Sequence, residues 1–272
     1  MICGLCPHHC DIPEGRTGFC RARENRDGKI VCGNYGRLTS LSLDPIEKKP
    51  LYRFYPGSMI LSAGSYGCNL ACPFCQNCEI SMADRNADTV YFSPEMLVER
   101  AKRAVPEGNI GLAFTYNEPL IWYEYVRDCA KLLRENGLKT VLVTNGMICL
   151  EPLLELLPLI DAMNIDLKGF SQKFYDLVKG DFETVKQTIA LSAQQCHVEV
   201  TTLVIPGLND DPKEIEDEAK WLASVNPEIP LHLSRFFPRY KMNDHRSTPI
   251  ETIYDLRNIA AKYLKYVFFG NC

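Results

Sequence analysis

The sequence predicts an α/β fold: a partial (β/α)6 TIM barrel carrying an N-terminal cysteine-rich metal-binding module. Three observations point there. Six short apolar, β-rich runs alternate with longer amphipathic stretches from residue 58 onward, the order of a parallel sheet covered by helices. Six such units fall short of the eight that close a barrel. Thirteen cysteines in 272 residues are also many, and eight of them form two tight groups; in a reducing compartment that pattern reads as metal binding rather than a disulfide framework.

Residues 1–57 form the expected module, with five cysteines, seven glycines and little helical periodicity. Nine Lys/Arg against six Asp/Glu give it a local charge of +3, an ordinary solvated face and weak support for an RNA partner. Its few large apolar residues call for a metal staple. A segment from Asp44-Pro45 to Pro56-Gly57 reads as the connector to a barrel over residues 58–272.

The six runs are Met59–Ala63, Ile110–Phe114, Thr140–Val143, Ala162–Ile165, Val198–Val204 and Leu231–Leu233. Near-continuous apolar stretches of this length suit parallel strands buried on both faces. Between them, Ser93-Pro94 is a helix start, with Leu97, Ala101 and Ala104 on one face. Trp122, Val126, Cys129 and Leu133 recur at helical spacing before Gly137. Ile215, Ala219 and Leu222 make a further stripe, and Thr248-Pro249-Ile250-Glu251 reads as a capping box. Most of the lone cysteines at 32, 129, 149, 196 and 272 are expected to be buried small hydrophobes.

Bulk properties exclude other classes. Hydrophobic residues make up 46% and charged residues 24%, with a net charge of −4, which gives no electrostatic case for nucleic acid. No run of 18 apolar residues suggests a membrane span. The start, Met1-Ile2-Cys3, lacks the basic and apolar regions of a secretory leader, so a cytoplasmic location is expected.

The chemistry is expected at Gly67-Cys68-Asn69-Leu70-Ala71-Cys72-Pro73-Phe74-Cys75, directly after the first strand. In a barrel this places the loop at the carboxyl end of the sheet, where active sites sit. Three thiolates can hold three irons of a [4Fe–4S] cluster and leave the fourth open, whereas electron-transfer clusters normally use four cysteines. The alternative is zinc with Cys78 as fourth ligand, although most zinc sites use two separated pairs.

At these residues the sequence resembles the radical S-adenosylmethionine (SAM) superfamily. The resemblance implies that Cys68, Cys72 and Cys75 ligate the cluster and that Phe74 sits near adenine. It further implies that SAM chelates the open iron and is reductively cleaved to a 5′-deoxyadenosyl radical, which abstracts hydrogen from a substrate. Glu118, in Thr115-Tyr116-Asn117-Glu118-Pro119, matches the acidic end of the family's Gly-Gly-Glu-Pro-type motif, which binds the SAM ammonium. Asn145, in Thr144-Asn145-Gly146, either faces the ligand or forms a plain turn. Asp166 and Lys168 resemble the Asp-x-Lys of glycyl-radical-enzyme activases, with a surface salt bridge as the alternative. The segment from Thr201 to Asp210 matches the activases' apolar and main-chain wall against adenine. His232 and Arg235 are polar groups on a buried strand, candidates for ligand or substrate contact, with a core-satisfied His232 as the alternative. Asp166, Lys168 and Arg235 are the catalytic candidates.

Cys3, Cys6, Cys10 and Cys20 have the ligand count of a zinc site or a second iron–sulfur cluster. Together with Asp44-Pro45-Ile46-Glu47-Lys48-Lys49-Pro50-Leu51-Tyr52, Cys75-Gln76-Asn77 and Ile80-Ser81, they narrow the resemblance. The narrower match is to the radical SAM member of the AmmeMemoRadiSam system, a relative of pyruvate formate-lyase activating enzyme. Two departures stand out: Cys78 replaces a frequent large aromatic, and Cys272 stands where many members continue into a cysteine-bearing tail.

The resemblance implies an oxidoreductase of activase type acting on a protein or peptide, supplied by a low-potential donor such as flavodoxin or ferredoxin. Memo-like and AMMECR-like proteins are its implied companions. Radical modification of a small molecule or RNA is the alternative, and a non-catalytic metal-binding interaction module is a further one.

Overall fold

The computed structural model describes residues 1–271. The N-terminal region folds first into a hairpin, β1 (Arg23–Arg26) and β2 (Lys29–Cys32). Its two-residue turn, Asp27-Gly28, has positive φ at both positions, the conformation this pair favours in hairpins. Glu14 accepts hydrogen bonds from both turn N–H groups. The hairpin went unread in the sequence although Asp-Gly between short runs was its signal. A two-residue strand, β3 (Arg37–Leu38), follows.

β4 (Ser40–Pro45) then joins the main sheet antiparallel to β5 (Met59–Gly64). After α1 (Cys78–Ser81), β6 (Val90–Tyr91) pairs only with β3. Alternation then sets in with α2 (Pro94–Arg103), β7 (Asn109–Phe114), α3 (Tyr123–Glu135), β8 (Lys139–Thr144), α4 (Leu150–Leu156) and β9 (Ala162–Asp166). It continues through α5 (Gln172–Val178), α6 (Phe182–Ser192), β10 (His197–Val204), α7 (Pro212–Val225) and β11 (Leu231–Arg235), and closes with α8 (Ile250–Ala260) and β12 (Val267–Gly270).

The sheet has eight strands in the order β12-β11-β10-β9-β8-β7-β5-β4. Every neighbouring pair is parallel except β4–β5. All six expected strands are present, so the sheet runs open between β4 and β12. Buried apolar side chains of the strands and of helices α2–α8 form the core. No helix of the described residues is long and apolar enough to cross a membrane.

Three local readings change. The expected connector packs into the sheet: Ile46 and Leu51 are fully buried, Asn164 Nδ2 donates to Pro50 O (2.8 Å), and the Tyr52 and Arg53 N–H groups donate to Glu199. Its apolar residues and the need of buried Glu199 for donors hold it there. The Thr248 capping box does not form, because the Thr248 hydroxyl donates to Val204 O (2.6 Å) and accepts from Phe236 N. Of the lone cysteines only Cys129 is fully buried, Cys32, Cys149 and Cys196 being partly exposed, while Cys272 lies outside the described residues. The Ser93 cap forms as read, accepting from Met96 N.

Candidate active site

A cavity of about 570 Å³ opens at the carboxyl ends of the central strands, where ligands bind in parallel α/β sheets. Its wall includes Cys68, Cys72, Phe74 and Cys75 from the loop after β5, and Glu118 after β7. Thr144 and Asn145 follow from β8, Asp166 and Lys168 from β9, Thr201 from β10, and His232 from β11. A further cavity, of about 670 Å³, lies at the opposite ends of β8–β10 and contains Cys196 as its one cysteine. The three-cysteine loop, Glu118, Asp166 and Lys168 line the first of these.

The cysteine loop is held by buried asparagines. Asn117 accepts from Ser65 N and donates to Tyr66 O and Gly67 O. Asn69 donates to Met147 O (2.7 Å) and accepts from Asn145 Nδ2 (2.9 Å), which also reaches Cys68 Sγ at 3.6 Å. Gly67, at φ +87°, is required: a Cβ there would stand 2.5 Å from Cys20 O, where the N-terminal module closes on the loop. Arg21 fastens the same junction through Cys68 O and Ser81 O.

The thiols suit a soft cationic group. Burial pushes the Cys72 thiol up to about 12 and the Cys68 thiol well above its ordinary value, so only a bound cation would draw thiolates from this wall. Cys78 opens α1 and does not line the cavity, which leaves three cysteines there, the number that keeps one iron of a cubane open. No three His, Cys, Asp or Glu side chains among the described residues converge on one point suited to a metal ion. A cluster asks for no such convergence, since its ligands bind separate irons.

Glu118 is 2% exposed. It accepts from Leu120 N (2.8 Å), Thr144 Oγ1 (2.6 Å) and Asn145 N (2.8 Å). Burial outweighs these bonds and pushes its carboxyl up to about 7. Lys168 Nζ lies 2.8 Å from Asp166 Oδ2. Burial opposes its charge, but Asp166 and Cys72 raise its pKa above the ordinary lysine value. Thr201 Oγ1 donates to Asn164 Oδ1 (3.0 Å).

His232 reaches the cavity with Nε2 already 2.6 Å from Glu199 Oε2, and His197 Nε2 lies 2.9 Å from the other oxygen. Burial works against the Glu199 charge, yet both histidines and the Arg53 N–H hold its pKa near 2. Arg235 is not brought to the cavity: its Nε donates to Thr248 O and its guanidinium packs over Phe237. Asn69, Asn117 and Glu199 were not read as site residues. Buried asparagines in loops and a single acid on a strand leave no periodic trace.

Cys3, Cys6 and Cys20 are buried and Cys10 partly so. Backbone N–H groups of Phe19 and Arg23 point at Cys10 Sγ and Cys20 Sγ, each at 3.4 Å. His8 Nε2 lies 2.8 Å from Asn69 O. His8, Asn69, Asn145 and Cys68 therefore form one chain of contacts between the two cysteine groups.

The chain matches the family model "Radical SAM superfamily" over residues 63–222. It is 42% identical to the uncharacterised protein MJ0808 of Methanocaldococcus jannaschii, over 99% of this chain and 80% of that one. Pyruvate formate-lyase 1-activating enzyme of Escherichia coli K12 is 22% identical, over 71% of this chain and 79% of its own. A solved domain of pyruvate-formate lyase-activating enzyme from Bacteroides vulgatus superposes with a TM-score of 0.52 at 23% identity, covering 59% of this chain and 99% of that domain.

Proposed function

The chain belongs to the radical SAM superfamily, and from that premise we propose that it abstracts hydrogen from a protein or peptide segment, in the manner of an activating enzyme. The observation that carries the reading is the meeting of Cys68, Cys72 and Cys75 with Glu118, Asn145, Asp166 and Lys168 around one cavity. When bound, a [4Fe–4S] cluster and SAM supply electron-driven cleavage and a hydrogen-abstracting radical. The chain's own residues do the rest. Cys68, Cys72 and Cys75 hold the cluster, Glu118 receives the SAM ammonium and Lys168 its carboxylate. An ammonium beside Glu118 favours the ionised carboxylate that burial alone disfavours. Phe74 and Thr201 form walls, and burial of the loop excludes water.

The activating enzymes among its relatives support the peptide substrate, as does the sheet left open between β4 and β12. A small-molecule substrate is the second reading, favoured by the charged Lys49, Asp166 and Lys168 gathered with His232 in one cavity. Cys3, Cys6, Cys10 and Cys20 hold zinc or a second cluster on this reading, and a flavodoxin or ferredoxin supplies the electron.

The test uses anaerobic, iron–sulfur-reconstituted protein with dithionite and SAM, reading 5′-deoxyadenosine by mass spectrometry with iron and zinc per chain. 5′-Deoxyadenosine is expected from the native protein and lost in Cys72→Ala. Its absence from cluster-loaded native protein, with a biological reductant also supplied, overturns the proposal. Iron well above that of one cubane assigns the N-terminal site to a second cluster, and one zinc makes it structural.

A further inference from the structure

We propose that Lys49 anchors a second subsite in this cavity, one that takes a carboxylate carried by the substrate. This rests on the radical SAM reading of the cavity and adds where the substrate is held. Lys49 lines the cavity yet is only 3% exposed. Its ammonium has three donors. One goes to Asp44 Oδ2 at 2.9 Å, and the cation lies 4.8 Å from the centre of the Tyr116 ring. Among the described residues no other side chain or carbonyl accepts from it. A buried donor without an acceptor is costly, and an oxyanion in the cavity would supply one.

The surroundings hold the ammonium in place rather than satisfy it. Tyr116 donates its hydroxyl to the same Asp44 oxygen (2.8 Å), and Lys48 takes the other oxygen at 3.3 Å. Burial lowers the Lys49 pKa in spite of Asp44, and the one ion pair occupies one of the three ammonium donors. Tyr116 adopts φ +72°, a left-handed conformation that a bulky residue avoids. It fits because position 64 is glycine: a Cβ there would stand 2.9 Å from Tyr116 Cδ2 and 3.0 Å from Thr115 O. Strain kept at a cavity wall points to function. Lys48 and Lys49 share the single carboxylate of Asp44, and the one positive charge left over matches a singly charged carboxylate better than a phosphate dianion.

The test measures binding to reconstituted holoenzyme with SAM present, at matched ionic strength. The probes are succinate and an acetylated, amidated tripeptide containing one glutamate. Saturable binding of at least one probe is expected, weakened tenfold or more, or about 1.4 kcal/mol, in Lys49→Met. The double variant Asp44→Asn/Lys49→Met leaves no unpaired buried charge, so it guards against misfolding of the single variant and is expected to bind as weakly. Binding of succinate identifies a small acid, and binding of the peptide alone identifies a glutamyl or aspartyl segment; either supports the subsite. Equal affinity in native and variant proteins overturns the proposal, as does no saturable binding, or displacement of the probe by SAM. The readout is independent of SAM cleavage, so its failure and that of the radical reading are separable.

Discussion

Glu218, on α7, offers a pH test of how the Asp166-x-Lys168 segment is supported. It is fully buried, its Oε2 has no partner, and Oε1 meets Thr202 Oγ1. The Thr202 hydroxyl has one proton and also faces Leu167 O at 3.0 Å. Each contact has its own proton only if Glu218 is protonated: its O–H donates to Thr202 Oγ1, and the threonine hydroxyl donates to Leu167 O. Burial agrees, since it pushes the Glu218 carboxyl up to about 8. A carboxyl raised on folding adds stability that is complete below its unfolded pKa, near 4.5, and disappears as pH climbs through 8. Between pH 6 and pH 9 this amounts to about 3 kcal/mol. Glu218→Gln keeps a donor for Thr202 and removes the titration. Urea unfolding of the native protein and the variant at both pH values is the assay. The native protein is expected to lose about 3 kcal/mol more than the variant over that interval. Parallel pH profiles would refute the neutral carboxyl and the relay to Leu167.

Two predictions concern the junction between the cysteine groups. Gly67→Ala forces a Cβ against Cys20 O at a left-handed backbone position; it is expected to destabilise by about 1–3 kcal/mol, read by urea unfolding, with lower iron per chain after reconstitution. Asn69→Ala strips a donor from Met147 O and the acceptor from Asn145 Nδ2. A loss of about 1–3 kcal/mol is expected in the same assay, and an unchanged midpoint would show that the asparagine chain holds nothing.

Much of this architecture was legible because it rests on repetition. The strands β5 and β7–β11 were visible as apolar runs between amphipathic helices, and their order fixed which loops share the carboxyl edge. That order, together with the motifs of the radical SAM resemblance, is why Glu118, Asn145 and Asp166, far apart in the chain, were placed beside Cys68, Cys72 and Cys75. What escaped has no period. β4 and β12 are edge strands with mixed burial, and a strand buried on one side leaves a weaker pattern than one covered on both. Arg235 shared the strand end of His232 but is drawn outward to Thr248 O, a partner 13 residues on that no pattern exposes.

The connector shows the limit most sharply. Residues 44–57 read as a link because proline and charge interrupt them, yet those interruptions are what the barrel floor uses. Pro50 has no N–H to leave unsatisfied in the floor, and its carbonyl accepts from Asn164. The next two N–H groups, of Tyr52 and Arg53, meet Glu199, whose charge in turn fixes His197 and His232. Tyr52 then packs edge-on against the His232 ring at 4.8 Å. A segment that satisfies a buried acid from one side and presents Lys49 to the cavity from the other cannot be replaced by a flexible linker of equal length. The expected result of grafting a glycine–serine tract over residues 49–53 is therefore loss of folded protein, checked by the disappearance of cooperative urea unfolding. Cooperative unfolding with native stability would show that the backbone N–H groups at positions 52 and 53 reach Glu199 without the buried Leu51 and the Tyr52 ring to hold them.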